Sequence, residues 1–383
     1  MEWLLKMKKI KVLAFIVSMN NGGAQQVLLD NAIRLHNDEE IDFNVCTIYK
    51  FKQLSNYEKE LINNGILNTY LVSIFHRILF RIFPSKKQII ITNLCKKAIN
   101  KLKPDIIHVH LAEAMLYVSQ AAEAYNVPVR FYSLHSNPYR QEGQILESIR
   151  SAFLNQKFTA LCLNNRQYKQ AKEYYNLQKY EILRNGIDFD YIRQNQISKE
   201  NARKLFGLND SDFVISCVGR LAPVKNYSFM LDIMKILVEK STNVKLIFAG
   251  DGPERENLEN KISRYGIEKN VIFLGNLKDV IPVYCASDVF CLTSISEASP
   301  LVLLEAQAVK VYSVISAGVP EESIITDKVC QMKEDASAEE WANAIMDKSF
   351  IGKAVCTEED CSVNNATKNL KSIYKKYYEE ACK

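Results

Sequence analysis

The chain has 383 residues, too many for one hydrophobic core of ordinary size, so two domains are expected. Apolar residues make up 48% and charged residues 24%, which excludes a disordered or fibrous chain, and a net charge of +5 is too small to argue for nucleic acid. Ten cysteines are scattered, several inside apolar runs, and none forms Cys-x-x-Cys; neither a disulfide framework nor a zinc site is expected, and a reducing cytoplasm suits them.

In chain order, the first apolar run is Val12 to Val17. It is too short for a membrane span, and a Gly-rich turn follows it rather than a small-residue cleavage site, so it reads as a buried strand. Further strands are predicted at Phe43–Ile48, Ile106–Val109, Val129–Leu134, Ala160–Leu163, Val214–Val218, Val244–Phe248, Val271–Leu274 and Val289–Leu292, with the first extending over Lys11–Val17. Stretches of helical period separate them, and such alternation predicts parallel sheets covered on both faces. The pattern runs twice, with a polar break near residues 186–200. The resulting division is residues 1–188, residues 189–365, and a C-terminal helix over 366–383 with apolar positions at Ala366, Leu370, Ile373, Tyr374 and Tyr377. No stretch of about 20 apolar residues occurs, so no transmembrane helix is expected.

Gly22-Gly23 follows the first strand and opens a helix, where free N–H groups can meet an anion; an ordinary strand–helix turn reads the same way. From Ile66 to Pro104 there is no acid but there are eight cations, Arg77, Arg81, Lys86, Lys87, Lys96, Lys97, Lys101 and Lys103, mixed with large apolar residues. Residues 75–103 are therefore expected to touch an anionic membrane surface; a solvated helix packing one face on the sheet is the alternative. No nucleic-acid motif accompanies the charge. His108, His110 and His135 lie at or just past strand ends. His108 and His110 are expected to face opposite sides of their strand, one of them being structural, while His135 and His110 are the functional candidates.

In the second half, Gly219-Arg220 and Lys225 follow a strand. Arg220, by forked hydrogen bonds, and Lys225, as a point charge, can clamp a diphosphate and stabilise a departing nucleotide, or stand as two surface cations. Glu297-Ala-Ser-Pro-Leu-Val-Leu-Leu-Glu305 is the most informative segment. Ser299 is expected as N-cap and Pro300 as first helical residue, with the N–H groups near Leu301 and Val302 aimed at a phosphate. Glu305, in an apolar helix, needs a partner, and a ribose diol can supply two hydrogen bonds; Glu297, on the entering loop, can meet a sugar. Helix-capping acids and a structural salt bridge are the alternative.

Together these pieces resemble the retaining GT-B glycosyltransferases of family 4, of the bacterial capsule, exopolysaccharide and O-antigen type. The resemblance spans nearly the whole chain. It rests on Gly22-Gly23, His108-Val-His110, Leu134-His-Ser136, Asn185-Gly-Ile-Asp188, Val218-Gly-Arg-Leu with Lys225-Asn226, Ala249-Gly-Asp-Gly-Pro253, Phe273-Leu-Gly275, Ala286-Ser-Asp288 and Glu297-x7-Glu305. It implies a GT-B α/β fold, two Rossmann-like domains with parallel sheets facing a central cleft and a C-terminal helix crossing back to the first. It implies that Arg220 and Lys225 bind the donor diphosphate, Glu305 the ribose, and Glu297 the transferred sugar. Gly23 approaches the donor phosphate; His135 faces the reacting sugar, with His110 and Ser136 on the acceptor side. A hexose-type sugar would pass from a nucleotide sugar, UDP being the commonest, to a saccharide or lipid-linked saccharide, without cofactor or essential metal. A cytoplasmic enzyme, peripheral on the inner membrane face, is expected. A non-catalytic partner subunit and a nucleotide-sugar 2-epimerase are the competing readings. Two departures stand out: Ala298 replaces a glycine, and Val309-Lys-Val-Tyr312 lacks the usual Gly and Pro, so the helix carrying Glu305 is expected to close differently.

Overall fold

The computed structural model describes residues 9–20, 22–50, 53–66, 68–241, 243–349 and 352–383, which leaves Asn21 of the Gly22-Gly23 loop outside the described residues. The chain divides into two compact units, one formed by Met1–Gly186 with Val363–Lys383 and the other by Ile187–Ser362.

The first unit holds a seven-stranded parallel sheet. Its strands are β1 (Ile10–Ile16), β2 (Ile41–Tyr49), β3 (Asn68–Val72), β4 (Ile106–His110), β5 (Val129–Ser133), β6 (Thr159–Cys162) and β7 (Tyr180–Ile182), in the order β3-β2-β1-β4-β5-β6-β7. β4 and β5 are buried along their whole length, as expected of strands covered on both faces. Two cores flank the sheet, one around Phe15, Met115 and Phe158, the other around Ile16, Phe43 and Phe131. The Val363–Ala381 helix closes the second core with Leu370 and Tyr374, and Tyr374 packs 5.7 Å from the Phe131 ring. Polar ties hold it there: Thr367 Oγ1 donates to Asn31 Oδ1 at 2.8 Å and Lys371 pairs with Asp38 at 2.7 Å.

The second unit holds six parallel strands, β8 (Phe213–Val218), β9 (Val244–Ala249), β10 (Val271–Gly275), β11 (Val289–Leu292), β12 (Tyr312–Ile315) and β13 (Val329–Gln331), ordered β10-β9-β8-β11-β12-β13. In each sheet the strand order reverses beside the first strand, between β1 and β4 and between β8 and β11. Connections leave that point in opposite directions, so each sheet carries a crevice at the carboxyl ends of those two strands. The sequence candidates fall there. Gly22-Gly23 follows β1, His110 ends β4, Gly219-Arg220 follows β8, and the segment leading to Glu297 follows β11.

All nine predicted strands are present. β3, β7, β12 and β13 were not expected: β3, β7 and β13 are sheet edges of three to five residues, and β12 lies against the unusual 309–312 segment. Two expectations about the Glu305 helix are corrected. The helix runs Leu301–Ala308, so Pro300 is its N-cap and Ser299 lies outside it; Pro300 stays extended at ψ 104°, which delays the first helical residue by one. Its C-terminus closes in the ordinary way. Lys310 N–H donates to Gln307 O at 2.9 Å and Val311 N–H to Ala306 O at 3.1 Å, the two bonds of a Schellman motif. Lys310 occupies the left-handed position normally given to glycine, with φ 65°. A non-glycine residue there costs ~1–2 kcal/mol, partly offset by its smaller unfolded-state entropy. Lys310→Gly is therefore expected to raise stability by about 0.5–1 kcal/mol, read as a higher urea midpoint.

Candidate functional site

In the second unit the loops after β8, β9 and β11 are stitched together by main-chain contacts. Gly219 N–H donates to Ala249 O at 2.9 Å, Leu221 N–H to Asp251 O at 3.1 Å, and Ile295 N–H to Val224 O at 2.8 Å. The approach is close enough to require glycine. A Cβ on Gly250 would stand 2.1 Å from Gly219 O, and one on Gly318 would stand 2.2 Å from Ile295 O. Thr293 Oγ1 donates to the carbonyls of Lys225 and Asn226 at 2.9 and 3.2 Å, fixing the turn that presents Lys225.

Lys225 Nζ meets Glu297 Oε1 at 2.7 Å, with side chains 16% and 15% exposed. Ser294 Oγ donates to the same oxygen at 2.6 Å, and Glu297 N–H donates to Gly318 O at 3.0 Å, so the loop holding the carboxylate is pinned at both ends. The two residues predicted to serve diphosphate and sugar are thus direct partners. Such a pair holds its charges ready in a partly desolvated place, where an incoming anion can compete for the lysine. Ala298 is absent from the residues with positive φ, so alanine fits the loop without strain. Arg220 is exposed and follows Gly219, at the mouth of the same loop.

Glu305 sits in the second turn of its helix, and Tyr284 OH donates to its Oε2 at 2.8 Å. Burial pushes the Tyr284 phenol well up, and Glu305 and Tyr227 add to this, so it remains a proton donor. Leu301 and Val302 form the first turn, where there is no side-chain cap and no acid. That end of the helix is open to an anion. Tyr227 was not foreseen. It is 2% exposed, and its hydroxyl has no partner among the described residues. The hydroxyl and Lys225 Nζ stand 3.3 and 3.5 Å from the point a Gly219 Cβ would occupy, which brings both to one side of the loop.

In the first unit His108 and His110 share one face of β4, with ring centroids 4.1 Å apart. This corrects the expectation of opposite faces: side chains two apart in a strand point the same way. His108 is structural, its Nδ1 2.6 Å from Tyr374 OH and its Nε2 2.8 Å from Ser133 Oγ. His110 Nδ1 lies 2.8 Å from His135 Nε2, and the two rings stack. His110 Nε2 is buried with no partner among the described residues. An orphaned N–H costs more than an orphaned lone pair, which puts the His110 proton on Nδ1 and makes His135 Nε2 the acceptor. His135 then carries its own proton on Nδ1. Together with Asp30, Asn31 and Arg184, the three rings line a small cavity. Ser136 is half-buried and its carbonyl accepts from Gln167 Nε2 at 3.1 Å; Gly23 is exposed at the start of the Gly23–His36 helix, which has no side-chain cap.

Burial pushes His108 down to about 3 and His135 to about 4, the first also through His135; His110 falls well below its ordinary value, through burial and then its two neighbours. All three are neutral at pH 7. An unfolded imidazole titrates near 6.5, so below that pH the unfolded chain takes up protons that the folded chain refuses. The histidine contribution to stability is full above pH 6.5 and lost as pH falls from there toward 4 and 3. The urea midpoint of the first unit is expected to drop across that window, with a shallower drop in His135→Gln.

Residues 198–348 match the family described as Glycosyl transferases group 1. That stretch is similar to a glycosyltransferase group 1 domain. The domain falls within the second unit and contains Arg220, Lys225, Glu297 and Glu305. Bacterial relatives match over most of the chain. It is 27% identical to the capsular polysaccharide biosynthesis glycosyltransferase CapH of Staphylococcus aureus, over 95% of this chain and 98% of that one. It is 27% identical to the UDP-Gal:alpha-D-GlcNAc-diphosphoundecaprenol alpha-1,3-galactosyltransferase of Escherichia coli, over 72% of each. Among solved structures, Anabaena HepE in complex with UDP and glucose superposes with a TM-score of 0.77 at 19% identity, covering 96% of this chain and 100% of that one. At that identity the likeness speaks for the fold, which is GT-B.

Proposed function

We propose that this glycosyltransferase is a retaining, family 4 enzyme that moves a hexose-type sugar from a UDP-sugar to a saccharide or lipid-linked saccharide in bacterial surface polysaccharide synthesis. The observation that carries the reading is the Lys225–Glu297 pair at the switch point of the second sheet, with Glu305 on an uncapped helix nearby in sequence. The nucleotide diphosphate draws Lys225 away from Glu297 and is held by Lys225, Arg220 and the first-turn N–H groups of Leu301 and Val302. Tyr284 holds the Glu305 carboxylate for the ribose hydroxyls. Glu297, released from its lysine but still bound by Ser294, faces the sugar.

In the reaction the bond from the anomeric carbon to the diphosphate oxygen breaks and a bond from the acceptor oxygen forms on the same face. The acceptor proton passes to the departing phosphate, whose charge Arg220 and Lys225 stabilise. His135 is neutral and its Nε2 is engaged by His110, so its part is to donate from Nδ1 to a sugar hydroxyl, not to act as a base. His110 and Ser136 flank it on the acceptor side. The chemistry calls on no metal or cofactor. The capsule and undecaprenol-linked activities of the relatives support a lipid-linked acceptor, and a location on the inner membrane face follows from that; no helix among the described residues is long and apolar enough to cross a membrane. Calorimetry across a panel of nucleotide sugars is expected to find one that binds, and NMR of the product to show the donor's anomeric configuration kept. Binding to none, or inversion, would overturn the reading. Turnover of the donor with no acceptor, giving the 2-epimer, would replace it with an epimerase.

A further inference from the structure

The basic stretch divides into two helices with different surroundings. The Lys87–Leu102 helix buries Ile91, Cys95, Ala98 and Ile99 and belongs to the core. The Ile74–Ile82 helix buries nothing completely. Ile74, Phe75, Ile78, Ile82 and Phe83 are 80%, 65%, 51%, 60% and 47% exposed. At helical spacing, positions 74, 75, 78 and 82 fall within about 100° of arc, one continuous apolar stripe. Phe80, on the other side, packs against the core and fixes which face looks outward. Arg77 and Arg81 run along one edge of the stripe, and Lys86 and Lys87 follow its end. A Ser73–His76 capping box starts the helix, and Arg77 donates to the Lys50 carbonyl, so the face is presented by a built element.

We propose that the Ile74–Ile82 helix is an interfacial anchor that lies flat on an anionic lipid bilayer with Ile74, Phe75, Ile78 and Ile82 inserted among the acyl chains. Charge selects this occupant. The four cations beside the stripe meet no acid anywhere between Ile66 and Pro104. Anionic headgroups neutralise them. A second copy packed about a two-fold axis would bring the same cations face to face with their equivalents. The anchor needs no sugar chemistry; it deepens the proposed lipid-linked acceptor by naming the element that brings the enzyme to it.

The full chain is floated with phosphatidylglycerol-rich vesicles and with pure phosphatidylcholine vesicles. Binding is expected to the first and to be weak with the second. High salt should reduce it without abolishing it, because apolar insertion is not screened. Phe75→Ser with Ile78→Ser is expected to lower vesicle binding by at least ~10-fold while leaving nucleotide-sugar affinity unchanged. In Phe75→Trp, indole emission should shift to the blue on binding and be quenched by brominated acyl chains. Equal flotation of the wild type and the double variant would overturn the proposal. So would a wild-type dimer in solution that the double variant turns into monomer, since the face would then be covered by a second copy. Donor binding, measured in the same samples, reports separately on the transferase reading.

Discussion

Lys225→Ala is expected to weaken binding of the UDP-sugar by roughly 10- to 150-fold. In the proposed role the lysine supplies a charged hydrogen bond to the diphosphate, worth ~1.5–3 kcal/mol, and each 1.4 kcal/mol is about a factor of ten. The variant also leaves Glu297 with Ser294 and without its cation, 15% exposed and facing an incoming dianion. That repulsion adds to the loss. Two consequences separate the lysine's roles. In Lys225→Ala with Glu297→Gln, part of the lost affinity should return, because the uncompensated carboxylate is gone. Lys225→Arg should recover only part of it, because a planar guanidinium cannot take the place of a compact ammonium 2.7 Å from Glu297 without moving the loop. Calorimetric titration of UDP and the UDP-sugar checks all three. Unchanged affinity in Lys225→Ala would remove the diphosphate assignment.

The placement of Arg220, Lys225, Glu297 and Glu305 at the carboxyl edge of one sheet was legible because they stand in short, ordered motifs after strands, and parallel sheets deliver such residues to one edge. Their mutual arrangement was not. That Lys225 binds Glu297, 72 residues away in sequence, depends on Thr293 holding the Lys225 turn and Gly318 holding Glu297. Tyr227 and Tyr284 are core aromatics, and only the structure shows their hydroxyls turned toward the site. Tyr374 likewise fits the apolar period of the last helix, and nothing local shows that it reaches His108. The pairing of His108 with His110 was legible in principle, since alternation in a strand has period two, and the expectation of opposite faces misapplied it. Lys310 shows the opposite limit: a lost glycine signal did not change the helix end, because the backbone pattern is set by the surrounding bonds and the residue takes the strain.

The same loops carry the largest expected effect on stability. Gly250 has φ 140°, a region L side chains rarely adopt, and a Cβ there would stand 2.1 Å from Gly219 O. The contact is with main chain, so no rotamer change relieves it. Moving Gly250 away breaks its N–H bond to Gly275 O at 2.8 Å, and moving Gly219 away breaks the bond from its N–H to Ala249 O at 2.9 Å. Strained φ alone costs ~1–3 kcal/mol, and a lost buried main-chain hydrogen bond costs about as much again. Gly250→Ala is therefore expected to cost about 3 kcal/mol or more, and to displace Gly219 and Arg220 so that donor affinity falls with it. Gly266→Ala is the control. Its φ is 66°, but nothing lies within 4 Å of the new Cβ, so only the left-handed penalty of ~1–2 kcal/mol applies, with donor binding unchanged. Urea unfolding of the two variants, followed by nucleotide titration of whatever remains folded, separates them. If Gly250→Ala unfolded at the midpoint of Gly266→Ala, the close main-chain approach between the β8 and β9 loops would not be what holds the donor loop in place.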